Sequence, residues 1–312
     1  MGGKFEKRRD SATVRKDFCY NSVMKLPHII DSAFPARPVE SHKYSIGVVS
    51  VVGGSFCYAN APVIAGLGAR AAGAGLVRLV APEASRACAG ALLPEATYTA
   101  LSESFELPSA DVVVAGMGLA RTEASAAVFA RLASCRAERM VLDADALFFL
   151  AERGGASGAR GFEAVGELVL TPHEGEAARL LGVERARVAS DRPWAVREIA
   201  GRYGATVVLK GPRTLVASPG GERVFENDTG NPFMALGGMG DLLAGAIGAR
   251  WAYLRGDAFT AAASAVWLHG AASDELVASG GDPSIVNTAA AMGSLRVRLE
   301  GGLPARALQQ GD

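Results

Sequence analysis

The chain has 312 residues, of which 49% are hydrophobic and 21% charged. That composition excludes a disordered polymer and suffices for the core of one large domain or two small ones. Lysine plus arginine, 32, balances aspartate plus glutamate, 32, which argues against a nucleic-acid partner or a membrane surface but leaves room for a local anion site.

In chain order, Met1–Asp10 is charged with no apolar run behind it, so no secretory signal is read. Residues 1–40 read as an N-terminal extension, expected to be partly disordered, especially over the first 20 or so. Residues 41–302 read as one catalytic domain and 303–312 as a C-terminal tail. Ile46–Val52 is a β-branched strand closed by Gly53-Gly54, and Ala61–Ala74 is a small-residue helix that suits either the core or an interface. Leu76–Val80, Asp111–Ala115, Met140–Leu142, Glu167–Leu170 and Ala205–Leu209 are further strands, with a helix over Glu123–Arg136. Thr214–Ala217 and Arg223–Glu226, separated by Ser-Pro-Gly-Gly, read as a hairpin. Asp241–Leu254, Thr260–Ala278 and Ser284–Glu300 are helices, and Gly154–Gly161 is a loop. Strand, polar loop and helix in repetition imply a mostly parallel, doubly wound α/β sheet with helices on both faces and a small β-hairpin. The strands are apolar without alternation, as sheets covered on both sides require. Ligands of such sheets sit beyond the carboxyl ends of the strands.

The four cysteines, Cys19, Cys57, Cys88 and Cys135, form no CxxC pair. A reducing compartment and a cytoplasmic location are therefore expected. No apolar run reaches the roughly 18 residues of a membrane span; Ala258–Ala272 reads as a packed helix. No P-loop, HExxH, GxSxG or post-strand GxGxxG motif is present.

The strongest constellation is the run Asn227-Asp-Thr-Gly-Asn-Pro-Phe-Met-Ala-Leu-Gly-Gly-Met-Gly-Asp241. Gly237, Gly238 and Gly240 bring bare backbone to the start of a helix, where free amides and the positive end of the helix dipole bind phosphate. Asp241 is the carboxylate at that end. It suits a general base taking a proton from a hydroxyl that attacks phosphorus, or a helix N-cap. Lys210-Gly-Pro-Arg-Thr214 follows a strand and offers two cations and a hydroxyl to nucleotide phosphates, or is a solvated turn. Thr171-Pro-His-Glu-Gly-Glu176 also follows a strand. Its glutamates suit a helix start, and His173 stands where a ligand would be. Asp143 and Asp145 suit Mg²⁺ bound through water, or a helix cap. Gly53-Gly54-Ser55 and Ala61-Pro62 line a pocket or form an ordinary turn. His28, His42 and His269 read as structural, and nothing near Cys57 activates a thiolate.

Together these runs, with Tyr58-Ala-Asn-Ala-Pro, Arg70-Ala-Ala-Gly-Ala-Gly-Leu-Val, Ala115-Gly-Met-Gly-Leu and Val141-Leu-Asp-Ala-Asp-Ala-Leu, occur in order over about residues 40–300. They resemble the ribokinase-like ADP/ATP-dependent NAD(P)H-hydrate dehydratases, lyases that return hydrated NADH or NADPH to the reduced dinucleotide at the expense of ADP or ATP. The resemblance implies Asp241 as the catalytic base that also meets the hydrate. It implies Ala61, Gly118 and His173 as contacts of the hydrated dinucleotide. Lys210, Gly211, Pro212, Arg213, Thr214 and Gly240 would hold the adenine nucleotide, and the amides at Gly237 and Gly238 would form the anion hole. It further implies Mg²⁺ on the phosphates, ADP or ATP as co-substrate with ADP favoured by the bacterial-looking composition, a homotetramer, and an epimerase partner on a separate chain. No residue is assigned as a direct protein ligand of a metal. Three positions depart from the family pattern: Met117 stands for Pro, Met239 for Thr, and Glu174 for the Pro of many members. Reduced or retuned activity is the expected consequence. The alternative on the same fold is a kinase of a vitamin-precursor alcohol.

Overall fold

The computed structural model describes residue 30, residues 32–154, residue 162 and residues 165–301. The readings that fall on residues 1–20, His28, Cys19, most of the Gly154–Gly161 loop and the tail 303–312 lie outside the described residues.

After a short helix α1 (Lys43–Ile46), strand β1 (Val48–Val52) leads to α2 (Ala61–Ala71), β2 (Leu76–Ala81), α3 (Arg86–Leu92), β3 (Thr97–Ala100) and β4 (Val112–Ala115). Then come α4 (Glu123–Ser134), β5 (Ala137–Leu142), α5 (Asp145–Gly154), β6 (Val165–Leu170) and three helices, α6 (Glu174–Leu181), α7 (Arg185–Ser190) and α8 (Arg192–Tyr203). Strands β7 (Thr206–Leu209), β8 (Leu215–Ala217) and β9 (Val224–Glu226) precede α9 (Met239–Leu254), α10 (Ala258–Ala278) and α11 (Ile285–Glu300). The described strands form one sheet in the order β3-β2-β1-β4-β5-β6-β7-β8-β9. Pairing is parallel as far as β7 and antiparallel for β7–β8 and β8–β9. The expected doubly wound sheet and its hairpin are therefore present. The chain runs outward from β1 to β3 and returns to β4 on the other side of β1, so the order reverses between β1 and β4.

The continuous apolar strands divide by period 2 between two cores. Val49, Val51, Val112, Val114, Val141 and Val208 face α2, α9, α10 and α11. Val52, Val113, Ala115, Met140, Leu142 and Leu209 face α4 to α8. On the first face small residues bring helices into backbone contact. A Cβ on Gly68 would lie 1.9 Å from the Leu242 carbonyl oxygen, and one on Gly245 would lie 1.7 Å from that of Ala65. The small-residue helix α2 thus packs in the core, against α9, and the two helices start side by side.

Several boundaries differ from the sequence reading. Ile46 ends α1 instead of opening β1, because Gly47 turns the chain at φ 118° against Ala252. The edge strand β3, Thr-Tyr-Thr-Ala, has no fully buried residue and no apolar run to announce it; pairing with β2 makes it a strand. Helices α7 and α8 are polar and were not separately expected. Ile30, Ala33 and Phe34, assigned above to an extension, are buried against the domain. Buried Arg250 stacks 4.4 Å from the Phe34 ring and pairs with Glu300, which also receives Arg37 and Arg296.

Candidate active site

Helix α9 is capped by Gly238 at φ 97°, a left-handed conformation that strains any other residue. Its first intrahelical bond runs from Leu242 N to Gly238 O, so the amides of Gly240 and Asp241 precede the ladder and face outward. Asp241 lies in the first turn, two residues inside the start, so the N-cap alternative does not apply to it. The glycine run before it is pinned to α10. Asp274 accepts from Gly230 N at 2.7 Å and from Asn231 Nδ2 at 2.8 Å, and Asn231 Oδ1 accepts from Phe233 N at 3.1 Å. Gly237 has open space around it.

Opposite this helix start the ends of β5, β6 and β7 deliver charged side chains. Lys210 Nζ lies 2.5 Å from Asp143 Oδ1 and 3.9 Å from Glu176 Oε2. A Cβ on Gly240 would sit 3.3 Å from Lys210 Nζ and 3.9 Å from Asp143 Oδ2. The lysine and Asp143 therefore close directly over the helix start, and glycine leaves the space for them. Burial pulls the Lys210 amine down, but Asp143, Glu176 and Asp241 outweigh it and hold the ammonium above its ordinary range. Burial lifts the Glu176 carboxyl, with Lys210 opposing. Asp241 is pushed up to about 7 by burial first, then by Asp143, Glu176 and Asp145, against the pull of Lys210. A carboxylate poised near neutrality is suited to taking up and returning a proton.

His173 caps α6. Its Nδ1 accepts from Gly175 N at 3.0 Å and Glu176 N at 3.2 Å, while Glu176 Oε2 accepts from His173 N at 2.8 Å. Its Nε2 lies 3.3 Å from Glu176 Oε1, and the ring is 60% exposed, so one face is open to a ligand. The two aspartates after β5 have separated tasks. Asp143 joins the cluster; Asp145 accepts from Ala120 N at 2.9 Å and Arg121 Nε at 3.2 Å, fixing the loop after Gly118. In the loop after β7, Lys210 turns inward. Arg213, at φ 54°, turns outward to Glu226, and Thr214 Oγ1 donates to Gly211 O at 2.9 Å.

A second part of the site lies where the strand order reverses. Gly54 N donates to Met117 O at 2.8 Å, tying the end of β1 to the end of β4. Gly118, at φ 65°, faces the start of α2: a Cβ there would lie 2.7 Å from Tyr58 Cβ and 2.9 Å from Ala61 Cβ. Ala61 and Gly118 are thus in direct contact, backbone against one methyl group.

Asp143 and Glu176 are the functional candidates that motif spacing left undecided. Their signals were slight: a carboxylate one residue past a strand, and another three residues after His173. The three residues that depart from the family pattern each have a place in the packing. Met117 and Met239 are buried in the core, Met117 against Gly53. Glu174 pairs with Arg192 at 2.8 Å. His42 caps α1, and His269, buried in α10, is held down to about 4 by burial and is neutral. Among the described residues no group of three or more His, Cys, Asp or Glu is arranged to hold a metal ion, and no helix is long and apolar enough to cross a membrane.

This sheet order, with a glycine loop entering a helix start beside a lysine–carboxylate cluster, defines a ribokinase-like α/β protein. It superposes on a ribokinase-like superfamily protein of Enterococcus faecalis V583 with TM-score 0.72 and 25% identity, over 87% of this chain and 94% of that one. More narrowly, the chain belongs to the NAD(P)H-hydrate dehydratase family, whose model matches residues 49–291. It is 39% identical over 264 residues to the ADP-dependent (S)-NAD(P)H-hydrate dehydratase of Neisseria meningitidis serogroup B, covering 83% of this chain and 86% of that protein. It is also 39% identical over 264 residues to the bifunctional NAD(P)H-hydrate repair enzyme of Gloeobacter violaceus, covering 81% of this chain and 50% of that one. The chain therefore spans about half the length of that bifunctional relative. The ADP/ATP-dependent NAD(P)H-hydrate dehydratase of Bacillus subtilis, crystallised with ATP and Mg²⁺, superposes with TM-score 0.76 and 28% identity, over 86% of this chain and 96% of that one.

Proposed function

We propose that the chain is a nucleotide-dependent hydro-lyase that returns hydrated NADH and NADPH to the reduced dinucleotide, with ADP as phosphoryl donor. The observation that carries the reading is the placement of Asp241, raised toward neutrality, in the first turn of a glycine-capped helix beside Lys210. The likeness to a relative named ADP-dependent supports the choice of donor.

The dinucleotide lies against the surface where Gly118 packs on the start of α2 at Ala61, with its hydroxylated ring toward Asp241 and the open face of His173. The adenine nucleotide lies along residues 210–214, with its terminal phosphate on the amides of Gly240 and Asp241. Asp241 takes the proton of the ring hydroxyl, and that oxygen attacks the terminal phosphorus while the shortened nucleotide leaves. The carbon–oxygen bond then breaks and inorganic phosphate departs. Loss of a proton from the neighbouring carbon restores the ring double bond. Lys210 and the helix amides stabilise the charge that develops on phosphate. A divalent cation fits the donor set: Asp143 presents hard oxygen toward the helix start and would help to hold the ion beside the phosphates. When bound, Mg²⁺ supplies charge neutralisation on the phosphates.

The test is product analysis. Hydrated NADH with Mg²⁺ and ADP is expected to give NADH, AMP and inorganic phosphate in equal amounts. A stable phosphorylated product instead would contradict the reading and point to the alcohol kinase.

A further inference from the structure

The loop that carries Lys210 is held from behind by a residue outside every motif. Arg192, the first residue of α8, sends its guanidinium across to the ends of β6 and β7. Its Nη1 donates to Glu174 Oε1 at 2.8 Å. Its Nη2 donates to the carbonyls of Leu209 at 3.1 Å and Lys210 at 3.4 Å. The side chain is only 17% exposed. Gly211, at φ 144°, admits it: a Cβ there would lie 2.7 Å from Nη1 and 3.1 Å from Nη2. From the other side, Lys210 N donates to Pro172 O at 2.8 Å. The backbone of Lys210 is thus clamped at both its amide and its carbonyl, while its amine rests on Asp143.

An ion pair on an ordinary surface contributes little. This one differs because a planar fork spans a carboxylate and two carbonyls at once, which a point cation cannot reproduce. It joins the start of α6, which His173 caps and which carries Glu176 in its first turn, to the loop that carries Lys210. Lysine has a long, flexible side chain, so its placement depends on where its backbone is held.

We propose that Arg192, braced by Glu174, is a positioning residue for Lys210 and thereby sets the affinity for the adenine nucleotide while leaving the hydrated dinucleotide largely unaffected. Its observed partners are Glu174 and the carbonyls of Leu209 and Lys210, so it acts through the 209–211 backbone. The inference rests on the nucleotide role assigned above to that loop.

The test is calorimetric titration of ADP with Mg²⁺, and separately of hydrated NADH, into the full-length protein, wild type and Arg192→Gln. Circular dichroism establishes that each variant is folded. Losing a charged fork from two carbonyls is expected to raise the ADP Kd roughly tenfold while the hydrate Kd moves less than about twofold. Arg192→Lys keeps the charge but reaches fewer acceptors, and an intermediate rise of roughly threefold is expected. Should Arg192→Gln fail to fold, Arg192→Lys decides alone. An ADP Kd unchanged in a folded variant, or an equal loss for both ligands, would overturn the proposal. Wild-type protein that binds no adenine nucleotide would instead overturn the functional reading on which it rests.

Discussion

The two halves of the carboxyl-terminal edge of the sheet are made from different materials. Where β1 and β4 end, the surface is backbone, glycine and one alanine: Gly54, Gly118 and Ala61 pack closely and carry no charge. At the ends of β5, β6 and β7 the site is almost wholly charge: Asp143, Glu176 and Lys210 crowd against Asp241. On the proposed function, the first half selects by shape and the second carries the phosphoryl chemistry. Substitutions in the two halves are therefore expected to separate the two ligands.

The largest effect is expected at Asp241. Asp241→Asn removes the proposed base while keeping the shape, and steady-state kinetics are expected to show a kcat loss on the order of a thousandfold. Binding of both ligands should remain within a few-fold, since Asn preserves the helix start.

Lys210→Met comes next and probes the charged half. The ADP Kd is expected to rise roughly tenfold or more, with a smaller change for the hydrate. Lys210 favours the ionised form of Asp241, so its loss raises the Asp241 pKa further above about 7. The acid limb of the rate profile is expected to move to higher pH, and a pH series of kcat checks the direction.

Gly118→Ala probes the other half. Its methyl group would meet Tyr58 and Ala61 at under 3 Å in a left-handed conformation. The hydrate KM is expected to rise by about tenfold with the ADP Kd unchanged, the mirror image of Lys210→Met. Equal effects on both ligands from either substitution would break the division of labour.

The last effect is on stability. Asp241 has a folded pKa of about 7 against 3.8 for the free side chain. Its protonated form is favoured on folding, so its contribution is fully present below about pH 4 and is lost as pH rises through about 7. Asp241→Asn is therefore expected to be more stable than wild type by on the order of 2 kcal/mol at pH 8, and by close to nothing at pH 4. Denaturant unfolding at the two pH values checks this.

The sheet was legible because its strands are apolar on both faces and end in glycine or polar loops. Strand β3 was not, because an exposed Thr-Tyr-Thr-Ala segment becomes a strand only beside β2. The glycine run and Asp241 were legible as a motif, since a glycine cap and a first-turn acid are local features. Their partners were not. Asp143 and Lys210 are 67 residues apart, and motif spacing did not show that the lysine turns inward to the carboxylates while Arg213 turns away. Met117 and Met239 stand out in sequence as departures expected to reduce or retune activity; in the fold both side chains are buried.

The most direct measurement is absorbance at the reduced-nicotinamide band, with hydrated NADH, Mg²⁺ and ADP or ATP, for wild type and Asp241→Asn side by side. The expected result is recovery of NADH by wild type with ADP and almost none by Asp241→Asn. Absence of recovery from folded wild-type protein that binds nucleotide, or equal rates in the two proteins, would contradict the assignment of Asp241 as the base of a hydrate dehydratase.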